Sequence, residues 1–87
     1  MRFRDIEFLW SKGNNKYELV KWYKSKIDED KEFCCVIAFF DETKEGYDMR
    51  TVSDRFFEDK DAWIVGKHAI QFLNAMFYEL KKEDELK

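Results

Sequence analysis

Eight consecutive residues, Phe33-Cys-Cys-Val-Ile-Ala-Phe-Phe40, carry no charge, no Gly and no Pro, and they limit the possible folds more than any other stretch. A buried helix usually needs about ten or more residues, so a run this short, bounded by Glu32 and Asp41, predicts a strand. Strand side chains alternate between faces. Phe33, Cys35, Ile37 and Phe39 are thus expected on one face, and Cys34, Val36, Ala38 and Phe40 on the other. Both sets are apolar, so both faces want cover and the strand should be central.

The flanking segments supply its neighbours. Arg2 to Trp10 alternates, with Ile6, Phe8 and Trp10 on one side, which predicts a half-buried strand. Gly13, Asn14 and Asn15 tolerate the positive φ of a tight turn, and Tyr17 to Lys24 reads as the returning strand. The charged segment Ser25 to Glu32 then leads into the central strand. Gly46 ends the next turn, and Tyr47 to Arg55, polar on both faces, suits an edge position.

One helix follows, expected over residues 59–82, with Asp59 or Asp61 as its N-cap. Trp63, Gly66, Ile70, Leu73, Phe77 and Leu80 recur at three- and four-residue spacing and form an apolar stripe, widened by Ala62, Ala69 and Met76. Gly66 lowers helix propensity by about 1 kcal/mol relative to Ala, and its place in the stripe predicts close approach to the sheet. Residues 83–87 are expected to fray. The expected architecture is a single α+β domain over 1–87. A four-stranded antiparallel meander (1–58) precedes one C-terminal helix packed on one face, in the order β-β-β-β-α.

One helix cannot cover both faces of such a sheet. The bare face is therefore the expected interaction surface, through a protein partner or a homodimer. Its residues come from Tyr17, Leu19, Lys21, Trp22 and Tyr23, since the pattern leaves open which set the helix takes.

Charge offers an alternative. Residues 1–26 hold seven Lys/Arg against three Asp/Glu, and residues 27–87 hold nine against sixteen. Lys16, Lys21, Lys24 and Lys26 interleave with Trp10, Tyr17, Trp22 and Tyr23, the pairing a weak single-stranded nucleic-acid binder uses. A pI near 5.2 argues against a general nucleic-acid binder.

No catalytic constellation is legible. His68 stands alone off the stripe, and there is no phosphate-binding Gly-rich loop, zinc spacing or calcium loop. The expectation is a protein that is not an enzyme and uses no cofactor or metal. Cys34 and Cys35 point to opposite faces and read as small buried hydrophobes in a reducing compartment. Arg55 is expected to pair with Asp48 or Asp54. No run approaches the roughly 18 apolar residues of a membrane helix, so a soluble, cytoplasmic protein without a membrane partner is expected.

The segment Ala38 to Phe57 carries an aromatic pair (Phe39, Phe40), an acidic turn ending in Gly46-Tyr47-Asp48, a Val52-x-Asp54-Arg55 segment and the downstream Trp63. In these features the second half of the chain resembles small uncharacterised proteins encoded by phages and prophages of Gram-positive bacteria. The resemblance implies a host-cytoplasmic setting. It implies no catalytic residues, because no activity is established for that group.

Overall fold

The structure, a computed structural model, describes residues 1–85. Five strands precede the helix: β1 (Arg2–Phe3), β2 (Ile6–Ser11), β3 (Lys16–Lys24), β4 (Glu32–Thr43) and β5 (Gly46–Thr51). They form one antiparallel sheet in the order β1-β2-β3-β4-β5, so the expected α+β meander holds. The extra strand arises at Arg4, whose φ of 57° turns the chain and splits the alternating first segment in two. A 3-10 turn, Asp54–Glu58, replaces the end of the expected fourth strand, and α1 runs Lys60–Glu85.

Local chemistry explains the junctions. Asn15 (φ 54°) supplies the left-handed residue of the β2–β3 turn. At the β4–β5 hairpin Gly46 has φ 141°, and Thr43 Oγ1 accepts from the Glu45 N–H while donating to the Gly46 carbonyl. Ser53 Oγ accepts from the Arg55 N–H and starts the 3-10 turn. Asp59 is the N-cap of α1. Its carboxylate accepts from the backbone N–H of Asp61 and of Ala62, at 3.1 and 3.2 Å.

Helix and sheet meet through Ile6, Leu19, Ala38 and Phe40 from the strands, Phe56 from the 3-10 turn, and Ala62, Val65, Ala69 and Leu73 from α1. The stripe is therefore rotated from its expected centre. Trp63 and Leu80 stand exposed, Trp63 beneath the ammonium of Lys67 and Leu80 on the overhanging end of the helix. Gly66 behaves as expected. A Cβ there would meet Met49 Sδ at 3.0 Å and Phe56 Cζ at 3.1 Å, so the bare backbone is what lets α1 sit this close. The helix continues through Glu85, past the expected fraying point, and residues 86–87 lie outside the described residues.

A β-bulge alters the central strand. Leu19 pairs with Ala38 but Val20 pairs with Val36, which leaves Ile37 as the extra residue. The strict alternation expected over 33–40 fails at this point. Ala38 and Phe40 face the helix together with Cys35 and Phe33, which pair with the helix-side residues Lys21 and Tyr23. Cys34 and Val36 share the other face with Phe39.

The molecule measures 56 × 26 × 19 Å. Its length comes from two overhangs. At one end the last turns of α1 run past the β4–β5 hairpin. At the other, β3 and β4 extend beyond every neighbour: β2 stops at the Ile6–Lys21 pair and β5 at the Thr51–Ala38 pair. The result is a two-stranded arm, Trp22–Lys24 against Glu32–Cys34, tipped by the loop 25–31, with the outer edge of β4 uncovered as far as Val36.

Candidate functional site: the uncovered arm and the cleft at its base

The helix takes the Tyr17, Leu19, Lys21, Tyr23 set. Leu19 is fully buried under it and has no surface to offer a partner. Tyr17 is half-buried between Phe8, Trp10 and Tyr47. Trp22 lies on the opposite face. The five residues expected to form one surface are thus divided: Lys21 is tied to Asp59 at the start of α1, and of the helix-side set Tyr23 reaches past the helix.

The helix-free face is not a bare apolar patch. Val20 is 2% exposed there, because larger side chains close over it. The Trp22 ring lies beneath the Arg2 guanidinium, 5.2 Å from its centroid, and its indole N–H donates to Glu7 Oε1 at 3.0 Å. Phe39 is covered by the Arg50 guanidinium at 4.7 Å, and Asp41 binds both Arg50 and Lys16. Those two cations hold the Asp41 carboxyl below its ordinary pKa, the Arg50 hydrogen bond contributing most. The expected bare face is closed by its own aromatics and cations.

The arm carries exposed apolar side chains, as does the outer side of α1 with Trp63, Ile64, Phe72, Tyr78 and Leu80. Tyr23 and Phe33 stack at 5.4 Å and are 40% and 51% exposed, and Ile27 at the loop is 99% exposed. Cys34 and Cys35 are free and both exposed. The reading of these thiols as buried hydrophobes is corrected. It assumed that the whole apolar run lies beneath covering elements, whereas the helix and β5 cover only Ala38 onward.

At the base of the arm lies a cleft of about 520 Å³. Val36 and Ile37 at the bulge, Val52 and Phe56 make its apolar walls, and Lys21, Tyr23, Ser53, Arg55 and Asp59 its polar rim. Lys21 Nζ donates to Asp59 Oδ2 at 2.7 Å and lies 3.9 Å from Asp5. The pair holds itself charged. The hydrogen bond from Lys21 lowers the Asp59 pKa, with the helix N–H groups adding to it, and the same bond raises that of Lys21. Arg55 differs. The expected pairing with Asp48 or Asp54 does not form, and Arg55 makes no ion pair among the described residues. It stands at the cleft mouth as an uncommitted cation.

The lysines of the nucleic-acid alternative do not converge. Lys16 binds Asp41 on the helix-free face and Lys21 binds Asp59 on the helix face, so a phosphate at either would have to displace a carboxylate. Of the four, Lys24 and Lys26, both exposed, have no such partner among the described residues. His68 is exposed on α1. Among the described residues no group of three or more His, Cys, Asp or Glu converges to hold a metal ion. No helix among them is long and apolar enough to cross a membrane.

Sequence reasoning missed the arm because apolar content reports what wants burial, not how far the neighbours reach. A length comparison would not have found it either, because Arg2 to Trp10, Tyr17 to Lys24 and Tyr47 to Arg55 are each at least as long as the apolar run. No family model, curated protein or solved structure matches this chain.

Proposed function

We propose that this chain is a small, non-enzymatic interaction protein of phage type. It binds a protein partner, or itself, through the arm of β3 and β4 that reaches past α1 and β5. The observation that carries this reading is the arm, with stacked Tyr23 and Phe33 and two exposed thiols past the end of β5, and an open cleft at its base against the first turn of α1. A contiguous exposed apolar patch on a small domain commonly marks a binding site. The Val52, Asp54 and Arg55 positions of the resemblance lie where the chain leaves β5, the turn that ends its cover of β4. The host cytoplasm is the setting this reading gives, and there the thiols stay reduced.

The test is affinity capture with three baits: the parent, a Tyr23→Glu/Phe33→Glu double variant and a Phe39→Glu variant of the closed face. Captured protein, including untagged copies of this chain, should be lost with the arm variant and kept with the other. Equal capture by parent and arm variant would overturn the proposal.

A further inference from the structure

We infer that the partner on the arm is a second copy of this chain, added as an antiparallel strand along the outer edge of β4 from Glu32 to Val36. This rests on the reading of the arm as an interaction site and names its occupant.

The hydrogen-bonding phase of β4 sets which backbone groups are available. The Ser25 N–H donates to the Lys31 carbonyl, so Lys31, and with it Phe33 and Cys35 at the period of two, turn their backbone groups toward β3. Glu32, Cys34 and Val36 then turn theirs outward. Beyond Ile37, whose carbonyl accepts from the Val52 N–H, β5 gives no partner to these groups. The edge lacks the usual protection: it has no Pro, a single charge at Glu32, and no helix laid over it.

An edge of this kind accepts a strand, and its own sequence is the complement it fits. A two-fold axis at Cys34 places Cys34 opposite Cys34 of the second copy and Glu32 opposite Val36. The outward N–H and C=O groups then meet each other. On the helix side, Phe33 comes opposite Cys35 of the second copy, so the Tyr23–Phe33 stack is extended by apolar neighbours.

Val52 already stands opposite Ile37, so the second copy pairs no further than its Glu32 against Val36, and its loop leaves the edge there beside Val52. That loop brings Ile27, exposed in the free chain, beside Val52, which is 57% exposed. It also brings Asp28, Glu29 and Asp30 toward Arg55, the cation without an ion pair. Apolar and charged partners are thus both supplied by the chain itself, twice over, as a C2 interface requires.

Sedimentation equilibrium over a rising protein concentration tests the pairing, with Cys34→Lys and Arg55→Glu as variants. Both positions are exposed, so folding is not at stake. A concentration-dependent dimer is expected. Its dissociation constant should rise about tenfold or more in Cys34→Lys, where two like charges meet at the axis. A several-fold rise is expected in Arg55→Glu, largest at low salt. A thiol oxidant such as diamide reads the register directly. A hydrogen-bonded antiparallel pair sets Cα atoms about 5.5 Å apart, within the roughly 4.4–6.8 Å a disulfide spans. Crosslinking should survive Cys35→Ser and vanish in Cys34→Ser. A monomer at every concentration, or a dimer indifferent to Cys34→Lys, overturns the inference. If such a monomer still captures another protein through the arm, self-pairing alone is lost and the interaction reading stands.

Discussion

The two halves of β4 belong to one strand and have opposite fates. From Ala38 to Phe40 it is flanked on both edges, by β3 and β5, and Ala38 and Phe40 are packed under α1 and at most 1% exposed. From Glu32 to Cys35 every residue is exposed, although the side chains are as apolar. Burial is decided by what neighbouring elements reach, and hydropathy alone does not separate the halves. The covered half holds the fold together and the uncovered half is free to do something else.

The sharpest way to break this comparison is to place the same charge in each region. Leu73→Asp buries a carboxylate against a closed core and is expected to abolish cooperative folding, since an unpaired buried charge is not tolerated. Ile70→Asp, at a half-buried flank, should destabilise less. Phe33→Asp on the arm should melt close to the parent. Circular dichroism melts of the three variants check the order, and unfolding by Phe33→Asp would show that the arm is part of the core.

Next in size is Gly66→Leu. The contacts at 3.0 and 3.1 Å leave no room for a side chain, and overpacking of this kind costs about 1–3 kcal/mol or more. Urea denaturation should show a lower midpoint at an unchanged slope.

Asp59→Ala comes third. It removes the helix cap and the partner of Lys21, for an expected loss of about 1–2 kcal/mol. Here the pH dependence has a definite sign. The folded pKa values of Asp59 and Asp41 lie below their ordinary carboxylate value. Their contribution is therefore present above the unfolded pKa and is lost as pH falls through the folded values. Lys21 is raised, so its side of the same ion pair is present below the ordinary lysine value and lost as pH rises through the folded one. Stability measured from pH 7 down to 2 should fall less steeply in Asp59→Ala than in the parent.

The smallest expected effect is Phe33→Ala, within about 0.5 kcal/mol of the parent because an exposed stacked pair contributes little to the fold of one chain. At concentrations where the protein self-associates, the same variant should lower the apparent melting temperature. That contrast sharpens the comparison, because stability would then depend on the arm only through association.

Much of the body was legible from local signals. The positive φ of Gly46, the capping carboxylate of Asp59 and the tight approach at Gly66 each follow from one residue type in one context. The meander followed from short turns between alternating segments. What was not legible depends on relations between distant residues. Ile37 bulges because of how β3 and β4 register, and that one residue reverses the facing of everything before it. Trp63 and Leu80 lie within the helical period, but the buried stripe runs through Ala62, Val65, Ala69 and Leu73 and leaves both outside it. Arg55 lacks its expected acid because the chain leaves the sheet at Val52, and Cys34 and Cys35 are exposed because β5 has ended by Thr51.

At the far edge of the sheet, Asn74 reaches from α1 to the backbone of Tyr47. Its Oδ1 accepts from the Tyr47 N–H at 2.7 Å and its Nδ2 donates to the Tyr47 carbonyl at 3.4 Å. The side-chain amide stands where the peptide group of another strand would stand. Asn74 thereby closes the Tyr47 rung of this edge from within the same chain, much as a capping side chain closes the unpaired end of a helix.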